Sequence, residues 1–593
     1  MRYCKSLLLQ LLLLLLVVSP VLADAYDPPV GYYNAATGQG ATLKSQLGTI
    51  MATGHILRTY GDFRYASPLF DADPNIPGNI LLVYNRASVS GAWDSGITWN
   101  REHIWPDSLQ SGNASNSATG NIGDHHALRP SNPSINSSRG NKPFGNLNSS
   151  GIYGAQTGGT WYPGDADAGD VARSLFYSDT RYDASMTDLS TGLVGDINTL
   201  IHWNYADPPD EFERKRNQTI YSSALNPSYY QNNRNAYIDH PEYVWSIYGG
   251  GNNDSQLSVV GLANPDGSSS TTVDLGRVIT GSAVPAAQSV DIIKTGADPT
   301  YYEVIVSGSA TSTINGRYNA FVGGLGIASL QAGLNTSTAT AGLKTGTITI
   351  DNIDVSTGGA GQGSADANDI ITVNLDVLDH SDASFASGID QDLLTIDFGT
   401  LGVGGVVNMG FDLFNLESTL GFTADLDLDS ILGSGDTGVL GSNLAAFSGL
   451  NGGASNGYLA SFDTSNTGSF SASYILNLSD EDIAGATNQV LTLQLIGEVV
   501  AALVGDLNGD GFVGIGDLNI VLGNWNQNVT PGDPLVGDPS GDGFVGIEDL
   551  NTVLGNWNAG TPPGGTPGSA VPEPGTLILF ALAGAGIASR RRS

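Results

Sequence analysis

The stretch Trp99-Asn100-Arg101-Glu102-His103-Ile104-Trp105-Pro106 sets a carboxylate beside an imidazole. Two polar strips follow it: Asp124-His125-His126-Ala127-Leu128-Arg129-Pro130 and Ile135-Asn136-Ser137-Ser138-Arg139-Gly140-Asn141. Together they hold carboxylate and carboxamide oxygens suited to a hard divalent cation. They also hold an imidazole able to take a proton from water near neutral pH, and guanidinium groups shaped for phosphate oxygens. That is the inventory a one-metal phosphodiesterase needs. An isolated Glu-His pair is most often surface decoration; the surrounding strips reverse that reading.

The elements that must position these strips are legible in part. Leu43 to Thr53 has apolar residues at helical spacing, and Ile80-Leu81-Leu82-Val83-Tyr84 reads as a buried strand. Asp170 to Tyr177 fits an amphipathic helix, as does Asp210 to Ile220, with Pro208-Pro209 as its start signal. Every histidine except His380 falls between Tyr32 and Asn252, so an α+β domain with long loops is expected over 24–252.

These strips, with Asp71-Ala72-Asp73-Pro74, Gly169-Asp170-Val171-Ala172-Arg173, Asp207-Pro208-Pro209-Asp210, Asn233-Arg234-Asn235 and Ile238-Asp239-His240-Pro241-Glu242, resemble the endonuclease I and bacterial extracellular ribonuclease family of His-Me finger (ββα-metal) nucleases. The resemblance implies that His103 is the general base at a strand end. It implies that Glu102 and, on the following helix, Asn136 supply oxygens to one Mg²⁺, and that cleavage leaves 5′-phosphate and 3′-hydroxyl ends. Arg129 and Arg139 are the candidate phosphate clamps. In some members the clamping arginine lies in a cysteine-bearing insertion, and the corresponding Ser111 to Gly123 has no arginine here. Asp124, His126 and Asn141 are expected to shape the site. Zinc on His103, His125 and His126 is the weaker alternative; Trp99 and Trp105 are expected to pack the finger.

At 593 residues the chain is too long for one core. Its formal charge of −35 argues against a nucleic-acid partner until its distribution is counted. Asp24 to Asn252 holds 14 Lys/Arg against 22 Asp/Glu, whereas the rest of the chain from Asn253 holds 7 against 36. The first region is thus only mildly acidic, and such asymmetry is itself a domain signal.

Beyond Asn252 the composition shifts to Gly, Ser, Thr, Val and Asp with alternating apolar residues, which predicts Ig-like β-sandwiches. An internal repeat divides them: Val273-Asp274-Leu275-Gly276-Arg277 corresponds to Ile396-Asp397-Phe398-Gly399-Thr400, and Thr345-Gly346-Thr347 to Thr467-Gly468-Ser469, at offsets close to 122 residues. Two all-β domains are expected, at 256–380 and 381–500.

A sharper repeat begins at Val504 and recurs 32 residues later at Val536. Its loops place Asp506, Asn508, Asp510, Phe512 and Asp517, then Asp538, Ser540, Asp542, Phe544 and Asp549, at positions 1, 3, 5, 7 and 12, with Gly511 and Gly543 at position 6. This is EF-hand-type Ca²⁺ spacing, with small oxygen donors on a tight loop. Aspartate at position 12 and the paired loop-helix units resemble type I dockerin. That resemblance implies a small α-helical domain over 504–560 folding around Ca²⁺ and a cohesin domain as partner, with Ile515, Gly516, Ile547 and Glu548 as positions setting partner choice.

The ends read as processing signals. Arg2 and Lys5 precede the apolar run Leu7 to Val18, and Val21-Leu22-Ala23 offers a cleavage site, giving an export signal over 1–23. The single cysteine, Cys4, lies inside it, so the mature chain has no disulfide and no Cys-ligated metal. A Pro-Gly linker at 561–570 leads to Val571-Pro572-Glu573-Pro574, an apolar run from Leu577 to Ala588 and Arg590-Arg591-Arg592. That order resembles the PEP-CTERM sorting signal (571–593), which implies handling by envelope sorting machinery. The expectation is an exported, Mg²⁺-dependent, nonspecific endonuclease acting on DNA and/or RNA. Its rival is a structural or adhesive surface protein carrying an inactive nuclease fold.

Overall fold

The computed structural model describes residues 25–145, 150–249, 255–261, 268–353 and 366–562. The expected export signal, the sorting tail and most of the linker before it lie outside the described residues. The chain divides into two compact units, Met1–Leu378 and Asp379–Ser593.

The first unit opens with an α+β region. In α1 (Gly40–Ala52) Leu43, Leu47 and Met51 recur every four residues and form the buried stripe. Helix α2 (Phe63–Phe70) buries Phe63, Ala66 and Phe70. A hairpin of β1 (Asn79–Leu81) and β2 (Ser88–Ser90) precedes the antiparallel pair β3 (Asn100–His103) and β4 (Leu128–Ser131), in which Glu102 faces Arg129 and His103 faces Leu128. Helix α3 (Pro133–Arg139) follows at once. The Asn132 side chain accepts hydrogen bonds from the Ser134 and Ile135 amides, and Pro133 occupies the first turn, where its missing N–H costs nothing. The ribbon lies between two apolar clusters. Trp99 and Leu128 join Phe63, Phe70 and Ile80 on one side, and Ile104 and Trp105 join the larger core on the other.

Helix α4 (Ala168–Arg181) departs from expectation. The helix forms with the expected amphipathic pattern, but its polar face is buried as well, from Ala168 to Thr180. Its charged residues are neutralised inside: Arg173 pairs with Asp170 at 3.4 Å and Glu213 at 2.5 Å, and Asp179 pairs with Lys44 at 2.7 Å. Helix α5 (Ile197–Ala206) packs against it, α6 (Glu211–Tyr221) packs on α2 and reaches α4 through Glu213, and the Asp210 carboxylate caps α6 through the Glu213 amide.

The same unit contains a two-sheet β domain. Its five-stranded sheet runs Gly316–Phe321, Thr300–Gly308, Gly342–Ile353, Asp369–Leu378, Ser270–Ile279; its four-stranded sheet runs Ala310–Ser312, Gly326–Leu334, Gln288–Thr295, Gln256–Ser258. Tyr301 and Tyr318 from this domain belong to the core of the α+β region. Tyr301 donates to the Asn204 carbonyl and stacks on Tyr205 at 4.5 Å, while Tyr318 donates to the Asp239 carbonyl at 2.6 Å.

In the second unit another two-sheet domain repeats the plan, again with its first long strand, Leu393–Gly402, parallel to its last, Asn488–Val500. The repeated Asp-x-Gly is a bulge. Gly276 (φ 87) and Gly399 (φ 70) each donate an amide to the aspartate two residues earlier at 2.8 Å, and the register slips opposite both. Two nine-residue helices, Ile515–Gly523 and Ile547–Gly555, complete the described chain, each preceded by an acidic loop.

Candidate active site

His103 ends β3 and is 8% exposed. Its Nε2 lies 3.0 Å from the Ile122 carbonyl oxygen. A carbonyl can only accept, so Nε2 carries the proton and Nδ1 is left with the lone pair. Burial pushes the imidazole pKa below its usual value, against the opposing pull of that backbone bond, and so keeps the ring neutral. The Tyr60 ring stacks on the imidazole at 4.9 Å and 13°. A neutral ring with one nitrogen pinned and the other free has the state a general base requires.

Glu102 precedes it and so projects to the other face of the ribbon. It is 2% exposed. Its Oε1 accepts from Tyr84 Oη at 2.7 Å and Arg139 Nη1 at 3.1 Å. Burial raises the carboxyl pKa, and Arg139 followed by Tyr84 counters it. Oε2 accepts no hydrogen bond among the described residues, so one oxygen is anchored and the other is available. Tyr84 itself sits at φ 77, a region costly for a bulky residue, and its amide is tied to Asp167 Oδ2 at 2.8 Å.

Asn136 is half-buried on α3. Its Nδ2 is spent on Asn100 Oδ1 at 2.9 Å and the Arg101 carbonyl at 3.4 Å, which leaves Oδ1 as its free ligand atom. Carboxylate and carboxamide oxygens are hard donors of the kind Mg²⁺ takes alongside water and phosphate.

The two candidate clamp arginines lie deep. Arg139 is 1% exposed; besides Glu102 it holds the His103 carbonyl at 3.0 Å and the Ile104 carbonyl at 2.7 Å, and its guanidinium lies 4.4 Å from the Phe144 ring centre. Arg129 is paired with Asp170 at 3.4 Å and Asp71 at 3.8 Å. Asp124 accepts from Tyr177, Tyr182, Gln231 and its neighbour His126, far inside the fold. His126 Nε2 lies 3.2 Å from the Asn233 carbonyl, and His125 sits between the rings of Phe63 and Phe70. Burial takes both imidazoles down to about 3. Among the described residues no His/Asp/Glu group able to share an ion includes them, which leaves the zinc alternative without a ligand set. Asn141 is exposed beyond α3, and Trp99 and Trp105 are buried.

Sequence reasoning missed Tyr60, Tyr84 and Arg101. Arg101 had a signal, because a residue two before His103 on a strand shares its face. Tyr84 ended the strand stretch read as buried, but its hydroxyl on Glu102 had no signature. Tyr60 is brought in by the fold alone.

In the acidic loops, Asp506, Asp510 and Asp517 bring carboxylate oxygens within 4.8 Å of one another, as do Asp538, Asp542 and Asp549. Asp517 and Asp549 are buried and accept backbone amides of their own loops, from Leu507, Asn508 and Gly514 and from Ser540 and Gly546. Burial would raise the Asp538 carboxyl, but the amides of Gly532, Gly543 and Gly541 and the Ser540 hydroxyl hold it down to about 2. Phe512 and Phe544 follow at position 7. The side chains of Ile515 and Ile547 are 65% and 60% exposed at the helix starts, next to Gly516 and Glu548.

The family model described as Endonuclease I matches residues 40–242, and the PEP-CTERM protein-sorting motif matches 570–592. The extracellular ribonuclease of Bacillus amyloliquefaciens is 36% identical over 248 residues, 39% of this chain and 82% of that protein. That of Bacillus subtilis is 37% identical over 245 residues, 38% and 81% respectively. Among solved structures, the adhesive subunit of the CFA/I fimbria of enterotoxigenic Escherichia coli is 9% identical over 41% of this chain and 87% of its own, at a TM-score of 0.19, too low to carry an argument. The α+β region is that of a nuclease, a hydrolase of nucleic acid. The chain belongs to the endonuclease I family and is exported to the cell surface.

Proposed function

We propose that this chain is an Mg²⁺-dependent endonuclease of low sequence specificity that cuts DNA and/or RNA outside the cell to leave 5′-phosphate ends. The observation that carries the reading is the pinned imidazole. With Nε2 fixed on Ile122, His103 Nδ1 is free to take the proton of a water attacking phosphorus. The 3′ oxygen then leaves as a hydroxyl after gaining a proton from solvent. Glu102 Oε2 and Asn136 Oδ1 would hold Mg²⁺, which when bound supplies charge stabilisation at the phosphate and the leaving oxygen. Tyr84 and Arg139 fix which Glu102 oxygen is presented, and Arg139 is a buttress of the site in place of a clamp. The groups assigned here act on the phosphodiester, which every nucleotide step shares, and that supports low sequence specificity.

The paired loops at 504–560 are proposed to bind Ca²⁺ and to act as a dockerin for a cohesin domain. The donor geometry and the exposed Ile515 and Ile547 support this.

The test is cleavage of plasmid DNA and structured RNA by the mature chain with Mg²⁺, with EDTA, and as His103→Ala. The whole chain is used because Tyr301 and Tyr318 complete the nuclease core. Metal-dependent cutting lost in the variant is expected. A folded chain that cuts neither polymer would return the protein to the inactive surface-protein reading.

A further inference from the structure

Arg101 and His103 share one face of β3, and Tyr60 touches both. Its ring stacks on the imidazole and lies 3.6 Å from the Arg101 guanidinium. Outward from there, cation and ring alternate. Arg101 lies 5.3 Å from the Trp93 ring centre, Arg64 lies 6.0 Å from Trp93 and 5.2 Å from Tyr65, and Tyr65 stacks on Tyr229 at 6.4 Å. Trp93 and Arg64 are half-buried, and Tyr65 is 53% exposed. Trp93 meets the buried Trp99 edge-on at 4.9 Å, which anchors the row to the core.

Charge gives a second, independent observation. Arg86, Arg129, Arg139, Arg173, Arg214, Arg216 and Arg234 each have a carboxylate within 4.0 Å. Arg64 and Arg101 have none among the described residues; nor do Arg58, which donates to the Tyr230 carbonyl, and Arg181, which lies against His55 and Tyr182, but neither of these belongs to the row. Arg64 donates to the Gly61 carbonyl at 2.8 Å; Arg101 donates to the Tyr60 carbonyl at 2.6 Å and the Asn116 amide oxygen at 3.1 Å. Carbonyl oxygens satisfy their hydrogen bonds without cancelling their charge. Two guanidinium groups thus share a tryptophan beside the catalytic histidine, in a chain of net charge −35, with no anion of its own set against them.

We infer that this row is a subsite for unpaired nucleotides flanking the scissile phosphate, with backbone phosphates on Arg101 and Arg64 and base faces on Trp93 and Tyr65. The inference rests on the nuclease reading above. Duplex bases cover one another's faces, so a ring platform selects single strands, and stacking tolerates any base. Ribose and deoxyribose strands present the same phosphates and base faces.

The test uses the mature full-length chain carrying His103→Ala, in EDTA, with fluorescent oligonucleotides: single-stranded RNA, single-stranded DNA and the corresponding duplex. Fluorescence anisotropy is titrated at several salt concentrations. Both single strands should bind more tightly than the duplex, and the tighter of them identifies the sugar preferred. Arg64→Gln should weaken single-strand binding and lower the slope of log K against log salt by about 0.7, the value for one phosphate contact. Trp93→Ala should weaken binding about ten-fold with the slope unchanged. Trp93→Phe, which keeps a ring against Trp99, should retain most of the affinity. Wild-type affinity and slope in Arg64→Gln, or a duplex bound as tightly as the single strands, would overturn the subsite. Cleavage by the unmutated chain with Mg²⁺ is scored separately, so loss of the subsite and loss of the nuclease reading are distinguishable.

Discussion

Arg139→Met distinguishes a buttress from a clamp. The substitution keeps an unbranched apolar stem against Phe144 but removes the cation from Glu102 and the donors from two carbonyl oxygens, all at a position 1% exposed. Removing one partner of a buried ion pair costs about 3–5 kcal/mol, because the remaining charge stays desolvated. For a region of this size that corresponds to a fall of roughly 6–20 °C in melting temperature. Six of the eight tryptophans lie between Trp93 and Trp245, so fluorescence melts report mainly on the nuclease region. The loss should depend on pH. Burial already raises the Glu102 pKa, and without Arg139 it rises further above the unfolded value. The penalty is therefore full above that raised pKa and is relieved as pH falls toward the ordinary glutamate range, where native Glu102 becomes neutral. Arg139→Lys, which restores a charge but not the fork, should recover part of the loss. An unchanged melting temperature with turnover abolished would refute this reasoning and make Arg139 a clamp.

Other consequences are measurable on the same chain. Because the His103 pKa lies below its usual value, the acid limb of kcat/KM should fall below about 6.5; a limb above that value would remove His103 as the base. His125 and His126 stay neutral in the native state down to about 3, so the unfolded state binds more protons between that value and about 6.5. Stability is full above this window and is lost as pH falls through it, by up to about 1.4 kcal/mol per pH unit for each histidine, and chemical denaturation at pH 7 and 5 measures it. Replacing both Tyr301 and Tyr318 by Phe leaves the Asn204 and Asp239 carbonyls without these donors, about 1–3 kcal/mol each; unaltered melting of the nuclease region would refute the coupling. Ca²⁺ should raise the melting temperature of the 504–560 region in the full chain, Asp517→Ala should reduce the rise and Asp517→Ala with Asp549→Ala should cancel it, while no shift in the parent chain would remove the loops from Ca²⁺ binding.

What the sequence discloses here depends on how local each determinant is. The β3 strip and the acidic loops are short-range patterns, so their residue types and spacing carry the information. The repeated Asp-x-Gly appeared as sequence similarity and proved to be a turn chemistry, an aspartate tying down a left-handed glycine at a bulge. Long-range pairings have no such signature. The polar face of the Asp170 to Tyr177 stretch gives no sign of its burial because Glu213, which neutralises Arg173 from forty residues away, is invisible to a periodicity argument. For the same reason the arginines of the motif strips read as phosphate contacts, when their carboxylates at positions 71, 102 and 170 arrive from separate elements.

The charge of the chain follows the same logic. Net charge describes the long-range field, but a phosphate meets the local one, and burial of paired charges separates the two. Within the α+β region most arginines are cancelled by carboxylates that fold inward with them. The residual positive charge beside His103 is then that of Arg101 and Arg64, held off acidic side chains by bonds to carbonyl and amide oxygens. Association should therefore be slowed at low salt by the acidic remainder of the chain, while affinity at the site itself still falls as salt rises. A truncation that removes the region after Leu378 should speed association at low salt with little change at physiological salt, where the Debye length is about 8 Å. If the full and truncated chains associate at the same rate in low salt, the acidic region does not act on substrate encounter.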